Sequence, residues 1–285
     1  MTDQSPTLFL IGPGYSASRL AEICLETGSW QVLGTARSEE KAEALREKGI
    51  EPVLTSDADA VAKAGKGSHW VISTPPDDEG CPGFALAGTQ AGEAASITYL
   101  STTGVYGDLN GGWAFEWSPS NPGTKRGKRR VQAEAQWREA RSDARFVRLP
   151  GIYGPGRSQL DRVRGGKEEQ VVKPGQVFSR IHVDDIASGL FALIQRPDLT
   201  GSFNLCDEEA APPQDVMTYA ADLLGMAAPV PVDLDEADVS AMARSFYAEC
   251  KRVSNARLKA ATGWRPRYPT YREGLKAILE AEEKN

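Results

Sequence analysis

Short apolar runs alternate with helical patterns along most of the chain. An apolar run over residues 8–11 is followed by a glycine turn and then by apolar positions at helical spacing over residues 20–28. This order predicts a strand, a turn and a helix. A second strand is predicted over residues 30–36, and it leads into a helix that Ser38 caps and Gly49 ends. The chain therefore begins with two strand-helix units.

The alternation continues beyond these two units. A helix with a single apolar stripe is predicted over residues 185–196, and further strands are predicted at residues 69–73, 97–101, 144–149 and 202–206. Strands that alternate with helices form a parallel sheet covered by helices on both faces. The predicted fold class is therefore α/β, a doubly wound parallel sheet of the Rossmann type.

The chain changes character after residue 206. Acidic and proline-rich segments follow, and an amphipathic helix is predicted near residues 274–279. These features predict a smaller C-terminal lobe on the substrate side of the sheet. We predict a dinucleotide-binding domain formed by residues 1–150 with 176–206, and a smaller lobe formed by residues 151–175 and 207–285.

Composition and charge narrow the class of protein. The 285 residues are 40% hydrophobic and 25% charged, which is typical of a globular protein. The net charge of -6 argues against nucleic-acid or anionic-membrane partners. No apolar stretch is long enough for a signal peptide or a membrane span, which favours a cytoplasmic protein. The four cysteines have no CxxC spacing and only two histidines accompany them, so no metal site is expected.

The turn after the first strand carries the first candidate binding site. Gly12, Gly14 and Ala17 form a GxGxxA pattern between the predicted strand and helix, the context that a dinucleotide-binding turn requires. Gly12 permits the tight turn, Gly14 lets a pyrophosphate approach the helix N-terminus, and Ala17 lets the helix pack on the strand. The predicted cofactor contacts here are Gly12, Pro13, Gly14, Tyr15, Ser16 and Ala17.

Two more segments lie at predicted strand ends. A site for NAD would place a carboxylate at the end of the second strand, but Arg37 and Ser38 stand there. An arginine beside a hydroxyl suits the 2′-phosphate of NADP, so we predict NADP, with NAD as the alternative and a solvated Arg37 as the other interpretation. After the fourth strand come Ser73, Thr74 and Pro75, which either contact the cofactor at the same sheet edge or simply end the strand.

Longer segments carry a resemblance to a known family. They are the glycine turn, STTGVYG from Ser101, RLPGIYGPGR from Arg148 and SRIHVDDIASGL from Ser179. On these segments the chain resembles the extended or atypical short-chain dehydrogenase/reductase superfamily, in its NAD(P)-dependent epimerase/dehydratase branch. The resemblance covers nearly the whole chain. It implies NAD(P) binding, cofactor contacts at Pro150 and Gly151, and a catalytic Ser or Thr, Tyr and Lys.

The catalytic residues match this pattern only in part. Thr102 matches the Ser or Thr, but counting back from Glu134 places Arg130 where the lysine belongs and Arg126 where the tyrosine belongs. A guanidinium stays protonated and cannot replace a phenol in proton transfer, although Arg126 or Arg130 could bind the cofactor ribose or an anionic substrate. Tyr106 is the nearest phenol in sequence and the candidate acid or base, and Arg126 or Arg130 could stabilise its phenolate form. Its other interpretation is a packing residue.

The resemblance and the residues together define the expected function. We expect a NAD(P)-binding oxidoreductase or epimerase that uses hydride transfer on a sugar-nucleotide-like or carbonyl substrate. The alternative is a non-catalytic NADP-binding redox sensor or regulatory protein, which the missing tyrosine and lysine favour. The basic run at residues 125–130 is interpreted as a solvated helix start or as an anion pocket for a small-molecule substrate. A homodimer is compatible with the resemblance.

Overall fold

The computed structural model describes residues 5–166 and 168–284. In chain order, the strands are β1 (Thr7–Ile11), β2 (Gln31–Ala36), β3 (Glu51–Leu54), β4 (His69–Ile72), β5 (Ser96–Thr102), β6 (Trp113–Ala114), β7 (Arg145–Leu149), β8 (Gly151–Tyr153), β9 (Glu169–Val172), β10 (Arg180–His182), β11 (Gly201–Asn204), β12 (Val230–Asp233) and β13 (Arg252–Val253). The helices are α1 (Tyr15–Glu26), α2 (Glu39–Arg46), α3 (Ala58–Gly65), α4 (Pro82–Ala87), α5 (Lys125–Ala140), α6 (Gln159–Arg164), α7 (Val183–Ile194), α8 (Pro213–Leu224), α9 (Ala241–Phe246), α10 (Ala256–Thr262) and α11 (Tyr271–Glu282).

Seven of these strands form one parallel sheet. Their order is β11-β7-β5-β4-β1-β2-β3, and Leu8 of β1 lies opposite both Val32 of β2 and His69 of β4. The order of the strands reverses between β1 and β4. In open α/β sheets, ligands bind outside the carboxyl ends of the strands at such a reversal. The glycine turn after β1 and the segment after β4 both lie at this point.

Helices cover both faces of the sheet. One buried apolar cluster joins the sheet to α1, α2 and α7, with Leu20, Leu45 and Leu190 among its members. A second cluster joins the other face to α3, α4 and α5, where the rings of Trp70 and Trp137 meet edge to face at 6.3 Å. Near-continuous apolar strands such as β1 are expected when both faces are covered. The predicted doubly wound α/β fold is therefore confirmed.

A third apolar cluster lies outside the sheet, in the smaller lobe. It combines Tyr153 with Leu160 and Val163 of α6, and with residues of α8 and α11. Strand β8 pairs with β10, and β9 pairs with β12. These short pairs attach chain segments that are far apart in sequence. The domain boundaries proposed from the sequence remain a prediction.

The structure also contains elements that the apolar pattern did not single out. Strand β3 is only four residues long, and Glu51 and Pro52 interrupt its apolar character. The paired strands of the lobe are equally short. In residues 5–166 and 168–284, no helix has the length and apolar character that crossing a membrane requires.

Candidate functional site

Neighbouring strands fix the glycine turn from both sides. The Gly12 N–H donates to Thr35 Oγ1 of β2 at 2.8 Å, and Ser73 Oγ after β4 donates to the Gly12 carbonyl at 2.5 Å. Gly12 has a φ of 75°, and a Cβ added to it would lie 2.5 Å from Thr74 Cγ2. Only glycine fits this backbone and this space. Ser73 and Thr74 thus form the wall of the turn, while Pro75 beside them is exposed.

The N-terminus of α1 faces open space. No side chain caps Gly14, and no acidic residue stands in the first turn of α1. A Cβ added to Gly14 would find its nearest neighbours, the Gly12 carbonyl oxygen and Ser73 Oγ, at 4.0 Å. Free amides at a helix N-terminus bind anions such as phosphates. The cradle therefore fits the pyrophosphate of a dinucleotide.

The remaining turn residues divide into buried and exposed ones. Pro13, Ser16 and Ala17 are buried, and Ala17 packs against the sheet as the pattern predicts. Tyr15 is partly exposed, and its hydroxyl donates to the Pro155 carbonyl at 3.0 Å. Tyr15 therefore connects the glycine turn to the start of the smaller lobe.

Arg37 and Ser38 lie at the carboxyl end of β2. Ser38 Oγ accepts a hydrogen bond from the Lys41 N–H and caps α2. Arg37 is exposed, and within the described parts of the chain it has no hydrogen-bond or ion-pair partner. Its guanidinium is thus available beside a site that fits a dinucleotide.

A cleft of about 970 Å³ lies at the carboxyl edge of the sheet, between the sheet and the smaller lobe. Its lining brings together Thr102, Arg126, Arg130, Pro150 and Gly151, which sequence reasoning selected one by one. The hydroxyl of Thr102 accepts from the Gly104 N–H at 3.2 Å and caps a short 3-10 helix. Three of the predicted catalytic residues and two of the predicted cofactor contacts therefore line one cleft.

The two arginines at the Tyr and Lys positions differ in their contacts. Arg130 Nη1 donates to the Leu100 carbonyl at 2.6 Å and to the Tyr99 hydroxyl at 3.0 Å, so this part of its guanidinium is anchored to β5. The guanidinium of Arg126 lies 4.4 Å from the ring centroid of Phe246 in α9. Such stacking leaves the in-plane N–H groups of Arg126 able to bind an anion.

Tyr106 lies outside this cleft. Its side chain is 1% exposed, and its hydroxyl donates to Asn204 Oδ1 at 2.7 Å. Burial raises the pKa of Tyr106, and the cation that faces its ring is Arg148, at 4.8 Å, rather than Arg126 or Arg130. The 3-10 helix turns this residue into the core. Tyr106 is therefore not placed to exchange a proton with a substrate in the cleft, and its packing interpretation fits the structure.

A buried carboxylate holds α5 against the sheet. Glu134 accepts from Ser101 Oγ at 2.6 Å, and from Arg148 Nε and Nη2 at 3.1 and 2.8 Å. The side chains of Glu134 and Arg148 are 3% and 5% exposed. A bidentate pair of this kind fixes both position and orientation. It thereby holds the helix that carries Arg126 and Arg130.

Sequence reasoning missed several cations of the cleft. Arg157, Arg162 and Arg180 also line it. Within the described parts of the chain, none of these three arginines, nor Arg126 or Arg130, has a carboxylate oxygen within 4.0 Å. Arg157 belongs to the segment RLPGIYGPGR. Nothing local in the sequence, however, shows that these three arginines line one cleft.

His182 and Asp185 flank the N-terminus of α7, and burial shifts their pKa values in opposite directions. His182 Nδ1 accepts from the Asp184 N–H at 3.2 Å and caps the helix, and burial lowers the pKa of His182 to about 4. Asp185 accepts from the N–H groups of Arg267 and Tyr268, and burial raises the pKa of Asp185 to about 6. His182 is a structural cap, and Asp185 joins α7 to the C-terminal segment.

These shifts predict opposing effects on stability. Because the pKa of His182 is lowered in the folded protein, its contribution to stability falls as the pH drops from about 6.5 to about 4. Because the pKa of Asp185 is raised in the folded protein, its contribution to stability increases as the pH drops below about 6. Replacing His182 by asparagine keeps a good cap and removes the first effect. When the pH is lowered from 7 to 5, the free energy of unfolding of His182→Asn should rise by about 2 kcal/mol relative to that of wild type. Urea unfolding at the two pH values measures this difference.

The matched variant Asp185→Asn tests the opposite sign. It removes the effect that strengthens the fold at low pH, so its stability relative to wild type should fall from pH 7 to pH 5 by about 1 kcal/mol. If the free energy of unfolding depended on pH equally in wild type and in both variants, neither group would have a different pKa in the folded and the unfolded protein.

Comparison with known proteins identifies relatives of this chain. No family model matches the chain. Protein YeeZ of Escherichia coli is 30% identical over 239 residues, which cover 77% of this chain and 84% of YeeZ. The solved structure of a conserved protein of unknown function from Silicibacter pomeroyi is 44% identical, covers 97% of this chain and 99% of that one, and has a TM-score of 0.88.

A further solved structure connects the fold to a named class of protein. It is assigned as a NAD-dependent epimerase/dehydratase from Methylobacillus flagellatus, is 25% identical, and covers 98% of this chain and 99% of that one with a TM-score of 0.73. The likeness to both structures runs through the sheet and the lobe alike. The chain therefore belongs to the extended short-chain dehydrogenase/reductase superfamily, in its NAD(P)-dependent epimerase/dehydratase branch, and within that branch to the family of Protein YeeZ.

Proposed function

We propose that the protein is a NADP-dependent oxidoreductase or epimerase that acts on an anionic carbonyl or sugar-like substrate. The observation that carries this proposal is the link between the uncapped glycine turn and the arginine-lined cleft. Tyr15 of the turn donates to the Pro155 carbonyl, and the guanidinium of Arg157, which lines the cleft, lies 6.0 Å from the centroid of the Tyr15 ring. The Methylobacillus relative, assigned as NAD-dependent, supports the cofactor class. The preference for NADP rests on Arg37, an exposed cation at the end of β2 that has no ion-pair partner among the described residues.

The cofactor would be held by residues already placed along this edge. The turn from Gly12 to Ala17 would hold the pyrophosphate, Arg37 the 2′-phosphate, and Arg130 a ribose hydroxyl, while Pro150 and Gly151 line the cleft beside it. A bound nicotinamide supplies hydride donor or acceptor chemistry. Thr102 lies in the same cleft and would orient a substrate oxygen.

The cleft itself favours an anionic and hydroxylated substrate. None of its five arginines has a carboxylate oxygen within 4.0 Å among the described residues, and a guanidinium binds carboxylate or phosphate with paired hydrogen bonds. Gln159 and Gln170 also line it, and the side-chain oxygen of each is buried and, within the described residues, has no hydrogen-bond donor. Buried acceptors of this kind are normally satisfied, so substrate hydroxyls would suit them.

Calorimetric titration with NADPH and NADH tests the cofactor part of the proposal. We expect wild type to bind NADPH more tightly, and Arg37→Ala to weaken NADPH binding by about 30-fold while leaving NADH binding unchanged, because one charge-assisted contact is lost. Arg46→Ala removes the same charge from the neighbouring helix α2 and should leave both affinities unchanged. Absence of binding by either nucleotide would overturn the proposal, and equal binding insensitive to Arg37 would favour NAD.

One observation favours a second candidate function, a non-catalytic NADP-binding redox sensor. The tyrosine position carries Arg126, and Tyr106 is buried with its hydroxyl engaged. A sensor would bind NADPH without consuming it in the presence of sugar nucleotides, aldehydes and ketones, and would bind a protein partner differently in its NADP and NADPH forms. Consumption of NADPH, followed by its absorbance, would reject the sensor.

A further inference from the structure

One wall of the cleft is an extended segment with alternating side chains. Glu249, Lys251 and Val253 line the cleft, whereas Cys250 and Arg252 between them do not. The side chains of Cys250 and Arg252 both turn toward Gly111, where an added Cβ would lie 3.8 Å from Cys250 Sγ and 3.3 Å from Arg252 Nη1. Alternation of side chains between two faces is the property of an extended strand. The fold thus presents Glu249 and Lys251 together to the cleft.

The two charged side chains are held in place. Lys251 Nζ donates to Glu249 Oε2 at 2.7 Å and to the Gly107 carbonyl at 2.7 Å. The side chain of Lys251 is 10% exposed and that of Glu249 is 11% exposed. Long charged side chains are rarely this enclosed unless they are paired. The pair is therefore a fixed feature of the wall rather than a mobile surface ion pair.

Both members of the pair keep unused hydrogen-bonding capacity. An ammonium group has three N–H donors, and contacts account for two of those on Lys251. Glu249 Oε1 is buried and, within the described chain, has no hydrogen-bond donor. An unsatisfied buried carboxylate oxygen is unfavourable and rare. The pair thus offers one donor and one acceptor side by side, and a ligand hydroxyl can use both.

The charges near the pair indicate which other group a ligand should carry. Arg126 also lines the cleft and interacts electrostatically with Glu249. Asp108, behind the wall, interacts electrostatically with Lys251 and Lys173. Two carboxylates and three cations therefore leave this part of the cleft with a net positive charge. A ligand that satisfies it carries a negative group as well as a hydroxyl.

We propose that Glu249 and Lys251 form a hydroxyl-binding pair for a hydroxylated anion, whose carboxylate or phosphate is bound by Arg126. This inference deepens the proposed function and rests on it where the bound anion is the substrate. The ligand hydroxyl donates to Glu249 Oε1 and accepts from Lys251 Nζ. No bond is made or broken in this binding step.

Ligand-observed NMR titration of the full chain tests the proposal with three probes. D-Glucuronate carries hydroxyls and a carboxylate, glucose 6-phosphate carries hydroxyls and a phosphate, and hexanoate carries a carboxylate alone. We expect wild type to bind at least one hydroxylated probe 10-fold or more tightly than hexanoate. The probe that binds distinguishes a carboxylate ligand from a phosphate ligand.

Substitutions then assign the preference to the pair. Glu249→Met and Lys251→Met should each reduce the preference for the hydroxylated probe to less than 3-fold, with the milder Glu249→Gln as a second variant should the methionine protein fail to fold. The control pair is Glu208→Gln and Lys259→Met, which removes a salt bridge of 2.8 Å remote from the cleft and should leave the preference intact.

The outcomes separate this inference from the proposed function. Equal binding of all probes, no binding of any, or a preference that survives both substitutions at the pair overturns the inference. NADPH binding is measured on the same samples. If NADPH fails to bind while the preference depends on Glu249 and Lys251, the proposed function fails and the hydroxyl-binding pair stands.

Discussion

Replacing Glu134 by glutamine is expected to lower the free energy of unfolding by about 3 kcal/mol, because it leaves the Arg148 guanidinium buried without its carboxylate. Both side chains are at most 5% exposed, so water does not screen the loss. The glutamine amide also presents donors where Ser101 Oγ and Arg148 donate at 2.6 to 3.1 Å. Urea unfolding at pH 7 measures the change.

A matched control and a double variant isolate the pair. Glu139→Gln makes the same change at an exposed position of α5 and should alter stability by less than about 0.5 kcal/mol. Arg148→Met alone should also be strongly destabilising, whereas Glu134→Gln combined with Arg148→Met should lose less than the sum of the two by at least about 1 kcal/mol. Strict additivity would show that the contact contributes nothing of its own.

The pair matters to the site because it lies under the cleft. It joins α5 to β5 and β7, and the same helix carries Arg130 and Arg126 one and two turns closer to its N-terminus. Arg130 adds its own bonds to β5. The residues of the cleft are therefore positioned by buried contacts that do not face it.

The sheet and the glycine turn could be predicted because their signals are local. Apolar runs mark strands that are buried on both faces, and the GxGxxA pattern requires only a strand before it and a helix after it. The contacts that fix the turn confirm why Gly12 is a glycine, since Thr35 and Thr74 close on it from both neighbouring strands. Strand order then places residues 12 and 73 at one edge.

The rest of the site depends on contacts between distant parts of the chain. Tyr106 stands four residues after Thr102, yet its hydroxyl partner is Asn204, 98 residues away, and that partner determines which way the phenol points. Lys251 likewise meets Gly107 across 144 residues. Periodicity and motif spacing contain no information on such long-range contacts. The sequence alone could therefore not distinguish a residue that lines the cleft from one that is buried in the core.

Replacing Gly14 by alanine is expected to weaken NADPH binding at least 100-fold, about 2.7 kcal/mol, while changing the stability of the protein by less than about 1 kcal/mol. The reason is that a Cβ at Gly14 has no protein atom closer than 4.0 Å and a φ of -114° that alanine adopts freely. It would instead occupy the space through which a pyrophosphate reaches the amides of α1. Calorimetric titration and urea unfolding measure the two effects separately.

Two other glycines make the comparison decisive. Gly92→Ala adds a methyl group in open space away from the cleft and should leave binding unchanged. Gly12→Ala should lower both affinity and stability, because its φ of 75° and its Cβ at 2.5 Å from Thr74 Cγ2 force the turn itself to move. If Gly14→Ala lost stability as Gly12→Ala does, the open space before α1 would be needed for folding. Retained NADPH affinity in Gly14→Ala would mean that the cofactor lies elsewhere. The methyl group of alanine would occupy the space that a pyrophosphate needs in front of α1, so a pyrophosphate bound there would be displaced.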